Sequence, residues 1–128
     1  MQITQCLHVA ILVTDLNRAE HFYGEILKLP KTERSRNFPG SWYQVGEYQL
    51  HLIVTSLLSS QAKNEKWGRN PHIAFSVSDL DAAKERLLNY NCPIQPSASG
   101  RRALFTQDSD GNIIELSEVK SKELGAKS

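Results

Sequence analysis

His8-Val9-Ala10-Ile11-Leu12-Val13-Thr14-Asp15-Leu16 and His72-Ile73-Ala74-Phe75-Ser76-Val77-Ser78-Asp79-Leu80 are one phrase written twice, at an offset of 64 residues. Gln49-Leu50-His51-Leu52 stands at the same offset from Ile113-Ile114-Glu115-Leu116. His8 therefore corresponds to His72, and His51 to Glu115. Duplication of a supersecondary unit accounts for the repeated aliphatic residues. It does not by itself account for an imidazole or carboxylate kept twice on otherwise apolar strands.

Outward from these phrases, each copy reads the same way. Leu7 to Val13 is a continuous β-branched and aliphatic run, the mark of a buried strand. Thr14-Asp15 offers N-cap chemistry, and Leu16, Ala19, Phe22, Tyr23, Ile26 and Leu27 recur at helical spacing until Pro30. Strands are predicted around Thr32–Arg34, Trp42–Val45 and Tyr48–Val54, broken by Pro39-Gly40 and turned at Gly46-Glu47. The second copy replays the order. A strand from His72 to Val77 leads to a helix capped at Ser78-Asp79, then an edge strand between Pro93 and Pro96. Strands over Arg102–Thr106 and Ile113–Glu118 follow, joined by the turn Asp108-Ser109-Asp110-Gly111. The expected fold is α+β: two paired βαβββ modules forming a curved mixed sheet around a cleft. Module one covers 1–56, a polar linker with room for a short helical piece 57–70, and module two 71–120, all in one domain of residues 1–120. The polar segment 121–128 reads as a frayed tail.

Composition narrows the function. The chain has 128 residues, 40% hydrophobic and 23% charged, with a net charge of +1. Acids and bases are interspersed, which argues against a nucleic-acid surface or a membrane patch. No apolar run approaches the roughly 20 residues of a bilayer span, and no basic-then-apolar leader opens the chain. Cys6 and Cys92 make no disulfide framework and read as reduced thiols of a cytoplasmic protein.

Strand parity selects the candidate site. Alternate side chains point to opposite faces, so His8, Ala10 and Leu12 oppose Val9, Ile11 and Val13, while Leu50 and Leu52 oppose His51. The aliphatic face is expected to pack on the helices, leaving His8, His51, His72 and Glu115 on the other. A lone strand histidine is more often hydrogen-bonded filling than a ligand. A carboxylate buried among Ile113, Ile114 and Leu116 is costly without a partner, which a cation supplies. The same parity places Trp42 and Gln44 on the His51 face, and Leu104 and Thr106 on the Glu115 face, as substrate contacts. Arg69, Arg101 and Arg102 are candidates to meet an anionic substrate, against the plainer reading of solvated loop arginines. Of these, Arg102 is taken into the site. His21, on the first helix beside Glu20 and Glu25, reads as a surface residue.

These residues resemble the vicinal oxygen chelate superfamily, which includes glyoxalase I, extradiol dioxygenases, fosfomycin-resistance proteins and bleomycin-binding proteins. The likeness runs from about Leu7 to Glu118. It is carried by His8-Val-Ala-Ile with Asp15-Leu and Phe22-Tyr23, by His72-Ile-Ala-Phe with Asp79-Leu-Asp, and by Phe105-Thr-Gln-Asp-Ser-Asp-Gly-Asn-Ile-Ile-Glu115-Leu. It implies that His8, His51, His72 and Glu115 hold a divalent transition metal: Zn, Ni, Fe(II), Mn or Co. That metal would act as a Lewis acid on two adjacent substrate oxygens and stabilise an enolate. It further implies a glyoxalase-I-like lyase or isomerase, with Glu115 moving a proton and His51 as the second candidate. This chain departs from the glyoxalase pattern at His51, where a carboxylate is expected. His8, His72 and Glu115 alone make the two-His-one-carboxylate set of Fe(II) oxygen chemistry, so an extradiol-type dioxygenase is the alternative. A metal-free drug- or metabolite-binding protein, like the bleomycin-resistance members, is the non-enzymatic one. Homodimers are usual in such families.

Overall fold

The computed structural model describes residues 1–33, 40–56 and 63–119. The end of the strand expected at Thr32–Arg34, the break at Pro39, linker residues 57–62 and the tail 121–128 lie outside the described residues. The chain divides into two compact units, Met1–Ser60 and Gln61–Ser128. Each is a βαβββ module with its own four-stranded mixed sheet, so the α+β reading holds.

In module one, β1 (His8–Val13) leads into α1 (Leu16–Glu20), which widens into π-helical turns over His21–Ile26. The Asp15 carboxylate caps α1, accepting from the Arg18 N–H at 3.1 Å. The apolar positions of the periodic run, Ala19, Phe22, Tyr23 and Ile26, are the buried ones. Then come β2 (Lys31–Thr32), β3 (Gly40–Val45) and β4 (Tyr48–Val54), in the spatial order β1-β4-β3-β2. Gly46 turns the β3–β4 hairpin with φ +59, a conformation glycine adopts without steric cost. Module two repeats the plan with β5 (His72–Val77), α2 (Leu80–Asn89), β6 (Ile94–Pro96), β7 (Ala103–Gln107) and β8 (Ile113–Glu118), ordered β5-β8-β7-β6. Asp79 caps α2 as Asp15 caps α1. Among the described residues no helix is long and apolar enough to cross a membrane.

The parallel pairings reproduce the repeat residue for residue: Ala10 faces His51 across β1–β4, and Ala74 faces Glu115 across β5–β8. The hairpins do not. Val45 pairs with Tyr48 around a tight turn, whereas Gln107 pairs with Ile113 around the longer Asp108–Asn112 turn. Asp108 organises that turn, accepting from the Asp110 and Asn112 amides at 2.9 and 2.8 Å. The longer turn moves β7 by one residue relative to β3. His51 is opposite Trp42, but Glu115 is opposite Phe105 rather than Thr106.

Tyr43, on β3, is only 1% exposed. Burial, then the charge of Glu20, pushes its phenol up to about 12, with the Ser41 hydrogen bond opposing. The unfolded phenol ionises near 10, so the folded state holds its proton longer. The associated stability is complete below about pH 10 and is lost as pH rises to about 12. We expect Tyr43→Phe to remove about 2 kcal/mol from the alkaline decline in folding free energy between those limits. Urea midpoints measured across that window for both proteins check it, and parallel declines would refute it.

Candidate functional site

The chemistry of module two lies on one face of β5, β7 and β8. The His72 Nδ1 is 2.7 Å from the Asn70 carbonyl, which can only accept, so Nδ1 carries a proton and Nε2 is the nitrogen turned to the carboxylate. Nε2 stands 3.3 Å from Glu115 Oε1. A proton or a cation between the two satisfies both. The carbonyl behind Nδ1 is the outer support that metal-binding histidines commonly have. On its other oxygen, Glu115 accepts from the Ser117 hydroxyl at 2.6 Å and from Arg101 Nη2 at 3.4 Å. The Glu115 side chain is 7% exposed and that of Arg101 58%, so the serine bond is firm and the arginine bond is long and wet. Phe105 meets the His72 ring edge-on at 5.4 Å.

This face forms one wall of a cleft of about 500 Å³, whose lining includes Lys66, Arg69, His72, Arg101, Phe105 and Glu115. The other wall is a 3-10 turn, Trp67–Arg69. Gly68 lies flat on the Phe105 ring, where an added Cβ would come within 2.8 Å of the ring. The Asn70 side-chain amide donates to the carbonyls of Asn64, Lys66 and Trp67, and its oxygen accepts from the Asn64 N–H. Gln95, on β6, accepts from the Trp67 N–H and donates to the Glu65 carbonyl. The segment expected to be a linker is thus, over residues 63–70, a built part of module two.

The matching face of module one is aromatic. The His51 ring is sandwiched between His8, at 4.2 Å and 15°, and Trp42, at 4.0 Å and 8°. His51 Nε2 bonds the Gln49 side-chain oxygen at 2.9 Å, leaving Nδ1 as the acceptor. Burial, then the charge of His8, lowers the His51 pKa, which favours the neutral ring. Near-parallel stacked imidazoles cannot both aim in-plane lone pairs at one ion. Joint ligation by His8 and His51 therefore requires one ring to turn. Among the described residues, no group of three or more His, Cys, Asp or Glu is gathered as a metal-holding set. In donor chemistry the His72–Glu115 pair of module two fits a divalent ion as it stands, whereas the stacked His8–His51 pair of module one does so only after a ring turns.

A family profile described as the Glyoxalase/Bleomycin resistance protein/Dioxygenase superfamily matches residues 5–116. The chain belongs to this superfamily. It is 29% identical over 125 residues to the uncharacterized protein YaeR of Escherichia coli (strain K12), covering 91% of this chain and 97% of that one. Two solved structures share the fold at lower identity. The fosfomycin resistance protein FosX of Listeria monocytogenes is 19% identical with a TM-score of 0.74, covering 99% of this chain and 100% of that one. The lactoylglutathione lyase of Agrobacterium tumefaciens is 20% identical with a TM-score of 0.67, covering 92% and 96%.

Within each module of this superfamily fold, some of the expected site residues come together. His8 comes together with His51 and Trp42, and His72 with Glu115. Gln44 shares the His51 face as expected, but its amide is spent on the Gly46 and Tyr48 carbonyls of its own hairpin. Leu104 and Thr106 are corrections. The one-residue shift of β7 turns both to the face away from Glu115, where they are buried, and puts Phe105 in their place. Arg102 is a third correction, since its guanidinium is held by Glu118 at 2.9 Å and Asp81 at 3.3 Å while Arg101 lines the cleft. His21 pairs with Glu25 on the exposed side of its helix. Sequence reasoning missed Lys66, Gln95 and Phe105. The longer Asp108–Asn112 turn was the available signal for Phe105.

Asn70 carries the cleft wall, so its loss has a local signature. We expect Asn70→Ala to cost about 1 kcal/mol of stability, because it removes the amide that ties the Asn64, Lys66 and Trp67 carbonyls together. Amide exchange should accelerate over residues 64–70 while α2 keeps its protection. Unchanged exchange in that segment would show that the wall stands without Asn70.

Proposed function

We propose that this chain is a divalent-metal-dependent enzyme acting on a small molecule with two vicinal oxygens, in the manner of a glyoxalase-I-like lyase or isomerase. The observation supporting it is the pairing of His72 Nε2 with a buried Glu115 carboxylate on the wall of a cleft. His72 and Glu115 are the primary ligands, with His8 and His51 the remaining ones. A bound Zn, Ni, Fe(II), Mn or Co ion supplies Lewis-acid polarisation of substrate oxygens.

The rest of the chemistry belongs to the chain. Glu115 is the proton-moving group. Ser117 holds Oε2, which keeps Oε1 turned toward His72 and fixes where a proton is taken up or delivered. Phe105 shields that carboxylate from water on its β7 side. Trp42, stacked on His51, is the proposed substrate contact of module one. His51, kept neutral by burial, relays a proton through Nδ1 when it does not ligate. Like many members of such families, the protein is proposed to work as a cytoplasmic homodimer.

A second reading has its own support. With His51 held by Gln49 and by stacking, His8, His72 and Glu115 remain as the two-His-one-carboxylate set of an Fe(II) extradiol-type dioxygenase. Anaerobic metal loading followed by metal analysis tests both. We expect about one equivalent in the wild type, and under about a tenth of that in His72→Ala and Glu115→Gln with unaltered circular dichroism. Glu115→Gln should also lower kcat at least ~100-fold. Turnover of a methylglyoxal–thiol adduct supports the lyase, and oxygen uptake with catechols supports the dioxygenase. Wild-type protein that retains no metal after loading sinks both and leaves a metal-free binding protein.

A further inference from the structure

We propose that the module-two cleft is an oxyanion site, and that Lys66, Arg69 and Arg101 grip a carboxylate or phosphate group on the molecule this protein acts on. The phrase "acts on" rests on the enzymatic reading above; the binding of an anion does not.

The argument begins with which cations the fold uses. Near the cleft mouth, Lys63 donates to the Gly111 carbonyl and closes the β7–β8 turn. Arg102 is tied to Glu118 and Asp81. Both are absorbed by structure. Lys66 and Arg69 are not: among the described residues neither side chain has an ion pair or hydrogen bond, and both border the cleft. They sit at either side of Gly68 on a turn held by Asn70 and Gln95. A loose surface loop would let like charges drift apart into solvent. This turn holds the backbone that carries both at the cleft border, so their exposed side chains place positive charge there.

Arg101 faces them from the opposite rim. Its Nε donates to the Ser99 hydroxyl at 2.9 Å, and Ser99 is in turn bonded to Ser97 at 2.9 Å. That anchorage leaves the outer nitrogens of the guanidinium for the cleft, where one makes the long 3.4 Å contact with Glu115. A planar fork held from behind is suited to two-point binding of a carboxylate or phosphate. Three cations line the space against the single carboxylate of Glu115, so the lining keeps an excess of positive charge. Its volume of about 500 Å³ is that of a small-molecule site. Phe105 supplies an apolar floor beneath the charges.

The experiment uses the full chain stripped of metal, titrated with inorganic phosphate and separately with acetate, and read by backbone amide shifts. Saturable phosphate binding with a millimolar Kd is expected, with the largest shifts at residues 66–69 and 99–101. The double variant Lys66→Gln, Arg69→Gln should bind at least ~10-fold more weakly, and Arg69→Gln alone should be intermediate. Lys84→Gln, a cation of α2 outside the cleft, should match the wild type. Phosphate tighter than acetate assigns the group as a phosphate, and equal affinities assign a carboxylate. Non-saturating shifts, or double-variant affinity within about twofold of wild type, overturn the proposal. Metal content of the double variant is measured in parallel and should be unchanged. Wild-type protein that retains no metal after loading, yet binds phosphate as expected, would remove the enzymatic reading alone.

Discussion

A carboxylate in an apolar strand is the constraint on which the second module turns. Glu115 lies between Ile114 and Leu116, which are 0% and 4% exposed, and is itself 6% exposed. Desolvating that charge is expensive unless hydrogen bonds or a cation replace the water. The protein meets this in layers: a short bond from Ser117 two residues along the same strand, a distant guanidinium from Arg101, and the ring edge of His72. Only the first is short and dry. The other two are longer contacts on the cleft side, which is why the proposed chemistry is assigned to that side of the carboxylate. The same residue in a fully satisfied ion pair would be structural and chemically quiet.

The offset of 64 residues made the topology and the parallel register legible, because strand pairing between β1 and β4 and between β5 and β8 follows the aliphatic positions that the two halves share. It failed at the second hairpin for a local reason. A register is set by its turn as well as by its hydrophobic pattern. The Asp108–Asn112 turn spans more residues than Gly46-Glu47, so β7 slides by one and every side chain changes face. Leu104 and Thr106 were read from the β3 template and landed on the wrong side. The Arg101 and Arg102 exchange stems from the same stretch, where Arg102 is drawn away by Glu118 on the neighbouring strand and Asp81 on α2.

The cleft wall was illegible for a different reason. Residues 63–70 are polar and carry glycine and asparagine, a composition shared by linkers and by structured loops. What makes them structured is a pair of amides, Asn70 within the segment and Gln95 some 28 residues beyond Trp67, that satisfy the backbone groups of the turn. Such partners have no periodicity and no motif. Lys66 was therefore passed over and Arg69 left between an anion contact and a solvated loop arginine, although several hydrogen bonds hold the turn that carries them.

The two modules show how one duplicated scaffold separates roles. At the equivalent place on each sheet, module one stacks His8, His51 and Trp42 into a ladder of rings, while module two sets a carboxylate among cations. The difference follows from one substitution of type, His51 against Glu115, and from the residue opposite each. Trp42 offers a flat apolar face that suits a neutral ring and lowers the pKa of His51 by desolvation. Phe105 presents its edge to His72 and leaves the space beside Glu115 open to charge. The same sheet position thus carries a stacked aromatic face in one module and an ionic one in the other.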